Sequence, residues 1–292
     1  MGRLPSGLIV GAVVVLVAIA AADAIRPSDE AKAPEARGAH RPLDLHGTLV
    51  LANHGCAATA IRLPDLVREK PFAPDCDGRR WSSDRTLMAL CRHGTTHVFA
   101  GRAPVRSVPG CSPAWRPDGA LSVIHDGDLV LVRPYGRPQV FFSRARLVRA
   151  LAGRLEGART YRLTEVAWNG SVSFVALVAG ARPWQRAIVY YTPEGVTGVI
   201  PELGQDVSEL RVSPLGNIAF ARSGAGREYV MVDPSGEEIP LPRIANARAI
   251  AWSPDERWVA LATRTSTFIG RTGTREVAMR VRLGGEVLEW LP

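Results

Sequence analysis

The sequence predicts an all-β fold, a six-bladed β-propeller, and three observations support this prediction. After residue 45, short apolar runs alternate with turns rich in Gly, Pro, Asp and Ser, which is typical of antiparallel strands. A unit centred on Trp, or once on Val, recurs at intervals of 34, 53, 44 and 40 residues, and this repeat length is that of a four-stranded blade. Finally, the last apolar run of the chain supplies the strand that the first run lacks.

The N-terminal run, GLIVGAVVVLVAIAAA from Gly7 to Ala22, is uninterruptedly apolar and follows a short basic start. Its length lies between that of a signal-peptide core and that of a spanning helix. Positive charge on the N-terminal side alone favours a cytoplasmic N-terminus. We therefore predict that residues 1–24 are a single-pass signal anchor and that the rest of the chain is extracytoplasmic. Cleavage after the small-residue site Ala22-Asp23-Ala24, which would give a secreted protein, is the alternative.

Residues 25–45 are rich in Pro, Ala and charge, and they predict a flexible stalk before a propeller at 46–292. The composition, 46% apolar and 22% charged, excludes a wholly disordered chain and a small disulfide knot. The formal net charge is +8, and nearly all basic residues are Arg. Because these arginines occur from end to end, whereas a DNA-binding surface clusters its charge, we predict no nucleic-acid partner.

Each repeated unit has the residue pattern of a strand, a tight turn and a second strand. An apolar strand ends in a large residue, a tight turn follows, and a second apolar strand begins. In turns such as Ser-Pro-Asp, Pro presets φ and Asp bonds its own backbone, while the Trp ring is expected to fill the wedge between blades. This role explains Asp84, Asp118 and Asp255 as turn formers, so they do not count as catalytic carboxylates. The units centre on Trp81, Trp115, Trp168, Val212 and Trp252.

The sixth blade is predicted to come from both ends of the propeller. The run from Val287 to Leu291 resembles an inner strand without a following turn, and TLVLA at 48–52 resembles a second strand without a first. Joining them would pair the open edges of the ring.

These units resemble the W-S-P-D-G repeats of TolB-like (WD40-like) six-bladed β-propellers, with the best matches around Trp115 and Trp252. The resemblance covers most of residues 46–292. It implies protein–protein contact in the cell envelope without identifying the partner. Propellers host many unrelated functions, so the motif predicts the fold rather than an activity.

Four cysteines, Cys56, Cys76, Cys91 and Cys111, are separated by 20, 15 and 20 residues. The equal outer spacings place equivalent pairs on adjacent blades and predict disulfides Cys56–Cys76 and Cys91–Cys111, as expected in an oxidising compartment. Pairing Cys76 with Cys91 would leave the other two too far apart. A zinc site is a further alternative, although no C-x-x-C spacing supports it.

Three histidines, His54, His93 and His125, fall at the ends of second strands on one face. They form a candidate ligand or metal site, but polar loop residues beside tight turns are the favoured interpretation because no fourth ligand has matching spacing. The chain has no Gly-x-Ser-x-Gly elbow and no phosphate-binding glycine loop. We therefore predict no catalytic residue, no metal and no cofactor.

The longest interval in the repeat contains a predicted helix over 143–158. Ser143 is its expected cap, and Leu147, Val148, Leu151 and Leu155 form an apolar stripe. The stripe either packs on the propeller or belongs to a lid or docking element. Four arginines on the other faces are candidate partner-binding residues: Arg144, Arg146, Arg149 and Arg154.

Together these patterns predict a membrane-anchored, extracytoplasmic and monomeric propeller. Its expected role is a protein-binding or scaffolding module for an unknown envelope protein, without catalysis. The alternative is a small-ligand or metal-binding sensor, or a hydrolase, that uses the mouth of the propeller channel.

Overall fold

A computed structural model describes residues 44–53, 57–69, 79–133, 136–170, 172–201, 203, 207–223 and 226–292. These residues form six four-stranded antiparallel sheets, one α-helix and one 3₁₀ helix. The all-β prediction and the number of blades are confirmed.

The blades follow one another along the chain. Blade 1 contains β24 (Val287–Leu291), β1 (Gly47–Ala52), β2 (Ala58–Leu63) and β3 (Val67–Glu69). Blade 2 contains β4 (Arg79–Trp81), β5 (Leu87–Arg92), β6 (Thr95–Ala100) and β7 (Ala103–Pro109). Blade 3 contains β8 (Cys111–Trp115), β9 (Leu121–His125), β10 (Asp128–Val132) and β11 (Gln139–Phe142). Blade 4 contains β12 (Arg162–Asn169), β13 (Ser173–Ala179), β14 (Arg186–Thr192) and β15 (Gly195–Ile200). Blade 5 contains β16 (Val207–Val212), β17 (Ile218–Ser223), β18 (Arg227–Val232) and β19 (Glu238–Ile239). Blade 6 contains β20 (Ala249–Trp252), β21 (Trp258–Ala262), β22 (Thr267–Arg271) and β23 (Met279–Val281).

Blade 1 closes the ring as the sequence predicts. Strand β24 pairs antiparallel with β1 from Thr48↔Leu291 to Ala52↔Val287. Trp290 is buried, and its Nε1 donates to the carbonyl of His46 at 3.0 Å. The closing strand therefore contributes both a ladder and a core side chain.

The repeated tryptophans join neighbouring blades. Trp115 Nε1 donates to the carbonyl of Arg80 in the preceding blade at 2.8 Å. Trp168 Nε1 likewise donates to Ser122 Oγ at 2.8 Å. Trp252 packs against the preceding blade in the same way, with Nε1 at 3.3 Å from the sulfur of Met231. Because each ring fills the wedge between two blades, the predicted role of these residues is confirmed.

The Ser-x-Asp turns have the predicted local geometry. Ser253 Oγ donates to Asp255 Oδ1 at 2.6 Å and accepts the N–H of Trp258 at 3.0 Å. In blade 2, Ser82 Oγ donates to Asp84 Oδ1 at 2.5 Å. These carboxylates stabilise the turns. This structural role is sufficient to explain why an Asp occupies each position.

The turn at Asp255 makes stability depend on pH. The Ser253 hydroxyl, and then the Arg257 guanidinium, lower the pKa of Asp255 from 3.8 to about 2. The unfolded chain therefore binds more protons in this range, so the free energy of unfolding should fall as pH decreases from about 4 to about 2. Denaturant titrations across this range should show that the free energy of unfolding of Asp255→Asn changes less with pH than that of the wild type. Asp126→Asn, which removes an exposed carboxylate outside these turns, is the control, and equal pH effects in both variants would contradict the assignment.

The inserted helix, α1 (Arg144–Leu151), is shorter than the predicted 143–158. Ser143 caps it, because its Oγ accepts the N–H of Arg146 at 3.2 Å. Gly153, at φ +76°, directs the chain out of helical conformation, and a 3₁₀ helix (Ala158–Thr160) follows. Leu147 and Leu151 are fully buried. The structure therefore confirms that the apolar stripe packs on the propeller.

The predicted anchor at 1–24 and most of the predicted stalk lie outside the described residues. In the part of the chain that is described, no helix is long and apolar enough to cross a membrane. Leu45, the last residue of the predicted stalk, is 1% exposed in a core cluster with Leu49. Asp44 forms an ion pair with Arg257, with Oδ2 3.2 Å from Nη1. Asp44 and Leu45, at the end of the predicted stalk, are therefore already packed against the propeller.

Candidate binding face

The alternating direction of the strands divides the loops between two faces. Connections after the second and fourth strands of a blade share one face, which carries α1, and we call it the helix-bearing face. The Ser-x-Asp turns and the residues that lead into β1 lie on the opposite, turn-bearing face. Every candidate residue that the sequence singles out, where it is described, belongs to the helix-bearing face.

One of the two predicted disulfides is confirmed. Cys91, at the end of β5, is bonded to Cys111, at the start of β8, with a Cα–Cα distance of 5.3 Å. It links blades 2 and 3 at the rim of the channel. The predicted pair Cys56–Cys76 lies outside the described residues and stays a prediction.

The histidines lie in exposed turns of this face. His93 adopts φ +49° in the turn between β5 and β6. The exposed imidazole of His125 has its Nε2 3.6 Å from a carboxylate oxygen of Asp126. His54 lies outside the described residues. Among the residues that the structure describes, no group of three His, Cys, Asp or Glu side chains is placed to hold a metal ion.

All four arginines that the sequence assigns to the helix are exposed. The guanidinium of Arg146 lies over two rings, 5.4 Å from the centroid of Phe142 and 5.1 Å from that of Tyr191. The backbone N–H of Arg144 donates to Asp128 Oδ1 at 2.6 Å, which fixes the first turn. The helix thus buries its leucines and presents its arginines.

A loop of blade 4, at 180–185, lies beside this helical segment. The N–H of Ala181 donates to Thr160 Oγ1 at 3.2 Å. The loop exposes Trp184, whose side chain is 52% accessible, with the Arg182 guanidinium 5.7 Å from its ring. Sequence reasoning missed Trp184, because only the fold brings this loop next to the helix.

Positive charge is concentrated around the helix. Residues 133–164 contain eight Arg and one acidic residue, Glu156, so this segment carries +7 of the formal net charge of +8. Six of these arginines follow Ser143 and lie on the helix-bearing face. The inference that Arg is merely spread along the chain was therefore wrong. A running charge count, rather than a search for clusters of one residue type, reveals the segment.

The central channel has a volume of about 580 Å³ and is lined by residues of the inner strands. Its carboxylates accept hydrogen bonds between blades or between strands of one blade. Glu165 accepts the N–H of Leu210 at 3.0 Å, and Glu209 accepts the hydroxyl of Tyr229. Burial, and then the charge of Glu209, raise the pKa of Tyr229, so this phenol stays a hydrogen-bond donor.

The same belt of polar contacts continues around the channel. Ser112 Oγ donates to the carbonyl of Thr164 at 2.9 Å. Tyr229 also lies 3.1 Å from the carbonyl of Arg248, and Arg248 Nη1 donates to Glu286 Oε1 at 2.5 Å. These contacts join five of the six blades in series. The channel carboxylates are therefore largely occupied in holding the ring together.

Comparisons with known proteins identify the fold alone. No protein-family model and no curated protein matches the sequence. Among solved structures, the chain is similar to Kuenenia stuttgartiensis hydrazine synthase, with 12% identity and a TM-score of 0.53 over 87% of this chain and 92% of that chain. It is also similar to the β-propeller domain of Myceliophteria thermophila Cps50 (Swd1), with 12% identity and a TM-score of 0.52 over 85% of this chain and 90% of that domain.

Proposed function

We propose that this protein is a membrane-anchored, extracytoplasmic β-propeller that binds another protein through its helix-bearing face. One observation carries the proposal: seven exposed arginines and an exposed tryptophan, Trp184, lie on a single face. Trp and Arg are the residue types most enriched where binding energy is concentrated. The arginines are Arg144, Arg146, Arg149, Arg154, Arg159, Arg162 and Arg182.

Three features support the proposed location. The apolar run at 7–22 has the length and flanking charge of a signal anchor. The disulfide Cys91–Cys111 is of a kind that persists in oxidising compartments. The resemblance of the repeats to TolB-like propellers implies a place in the cell envelope. The chain leads into β1 from the turn-bearing face, which is opposite the proposed docking face.

We propose a non-catalytic role. Glu165, Glu209 and Glu286 are the channel carboxylates, and each accepts a hydrogen bond that connects strands or blades. A general acid or base needs a carboxyl that can change its protonation during the reaction. Groups committed to inter-blade bonds suit a rigid scaffold better, which favours protein binding over the alternative of a small-ligand sensor or hydrolase.

In-cell crosslinking of the tagged full-length chain tests this proposal. The test variant is Arg149→Glu/Arg154→Glu, because both side chains are exposed on the helix-bearing face. The matched control, Arg102→Glu/Arg137→Glu, reverses two exposed arginines on the turn-bearing face. We expect a discrete protein adduct with the wild type and the control, reduced about tenfold in the test variant. An adduct that survives the test variant, or no adduct with any chain, would reject docking at this face.

A further inference from the structure

We infer that the partner presents a carboxylate-rich segment with an apolar residue, held by the arginines and by Trp184 on the helix-bearing face. This inference rests on the proposed function that this face docks a protein. It adds the chemistry of the partner, and it starts from the difference between these arginines and those elsewhere in the propeller.

Elsewhere, several arginines of the propeller have acidic partners. Arg248 pairs with Glu286 at 2.5 Å, and Arg116 pairs with Asp118 at 2.8 Å. Further ion pairs are Arg62–Glu69, Arg85–Glu289, Arg222–Glu228, Arg227–Glu209 and Arg257–Asp255. In contrast, among the residues that the structure describes, none pairs its carboxylate with any of the seven arginines of the helix-bearing face. Their charge is available to a partner.

The fold brings these charges together. Gly127, at φ +84°, has no side chain, and a Cβ there would meet Arg144 Cδ at 3.2 Å and Arg162 Cβ at 3.3 Å. The glycine thus lets the first residue of the helix and the first residue of β12 approach the same turn. Two separate segments of the chain supply arginines to one surface.

Little negative charge on this surface opposes them. Glu156 is the one acidic residue between Ser143 and Thr164. Nearby, Asp128 is engaged by the backbone of Arg144, and Asp126 lies beside His125. Such a surface attracts a negatively charged partner and repels a basic one.

Two of the arginines are positioned by aromatic rings. Arg146 lies over Phe142 and Tyr191, and Arg182 lies over Trp184. Stacking on a ring holds a guanidinium plane in place and reduces the entropy lost on binding. A planar guanidinium binds a carboxylate through two parallel N–H···O bonds. The surface therefore fits carboxylates, while the exposed ring of Trp184 fits an apolar side chain next to them.

A protein segment explains this combination better than other polyanions do. Nucleic acid would be absent from the proposed compartment. Lipid headgroups are a further polyanion that the test distinguishes from a protein segment. Both remain distinct outcomes of the test.

The test measures fluorescence anisotropy with the purified full-length chain in detergent micelles. The probe is a labelled 16-residue peptide of Glu and Asp with one central Leu. Its counterparts are the same peptide with Gln and Asn, a single-stranded oligonucleotide of equal charge, and vesicles of phosphatidylglycerol in phosphatidylcholine. We expect the acidic peptide to bind most tightly and its affinity to decrease with salt. Arg149→Glu/Arg154→Glu and Trp184→Ala should each weaken it about tenfold, and Arg102→Glu/Arg137→Glu should not.

Several results would overturn the inference. Tighter binding of the oligonucleotide or of the vesicles would identify a different polyanion. Equal binding of the acidic and the amide peptides would reject carboxylate recognition. If no peptide binds while the crosslinked adduct is still lost in Arg149→Glu/Arg154→Glu, the docking face stands and its acidic chemistry is wrong. If the peptide binds but the adduct is unaffected, the proposed docking function itself fails.

Discussion

A chain that lacks residues 287–292 is expected not to form a stable propeller. Deletion removes β24, its ladder with β1, and the buried side chains of Leu288 and Trp290. Truncating each of these side chains to Ala alone would cost about 2–5 kcal/mol, and the sum approaches the whole net stability of a domain. Circular dichroism and size-exclusion chromatography should show unfolded or aggregated material, because the edge of β1 is then left unpaired.

Moving the strand provides the control for this deletion. Trp290 Nε1 lies 3.0 Å from the carbonyl of His46, so the end of β24 is next to the start of β1. A chain in which residues 287–292 precede Asp44, joined by a short Gly-Ser linker, should therefore recover the fold. A truncated chain that unfolds with the same midpoint as the wild type would show that closure contributes little.

Phe174→Ala is expected to lower the free energy of unfolding by about 3–5 kcal/mol. Phe174 is 1% exposed, stacks on Tyr191 with centroids 4.7 Å apart, and meets Phe142 edge-on at 5.6 Å. Removal of its ring leaves a cavity in the cluster on which Leu147 and Leu151 of α1 pack. Denaturant unfolding followed by tryptophan fluorescence measures the loss.

Val140→Ala is the matched control for Phe174→Ala. Val140 lies on the outer strand of blade 3 and is 58% exposed, so its truncation should change stability by less than about 0.5 kcal/mol.

Because Arg146 lies over the rings of Phe142 and Tyr191, Phe174→Ala should also weaken binding at the helix-bearing face at temperatures where it stays folded. If Phe174→Ala lost no more stability than Val140→Ala, the neighbouring side chains of the aromatic cluster would have moved into the cavity.

The local code of the blades made the fold predictable. The blade centred on Val212 lacks a Trp, yet the residues from Ser213 to Gly216 still form the turn that follows the first strand, because turns depend on a few adjacent residues. Closure was predictable for a similar reason, since each end of the propeller has an incomplete blade. A short sequence pattern can predict a turn or a strand because those few residues determine its local backbone geometry.

The contacts that define the binding face are not local, and the sequence did not predict them. Trp184 lies beside the helical segment only because Ala181 bonds to Thr160 across the blade. The same is true on the turn-bearing face, where Glu256 is 4% exposed and accepts the N–H of Leu215 from the neighbouring blade at 2.7 Å. Neither neighbour is adjacent in sequence. The early end of α1 was readable from the sequence, because Gly153 stands two residues after the last buried leucine of the helix, Leu151.

The pairing of β1 with β24 also fixes an order in time. His46 and Trp290 are 244 positions apart, so a ribosome makes the second strand of blade 1 long before it makes the first. Blades 2 to 6 each come from one continuous segment and can assemble as they emerge. In contrast, one edge of β1 stays unpaired until β24 has been synthesised. A closed ring therefore shows that synthesis has continued as far as Leu291.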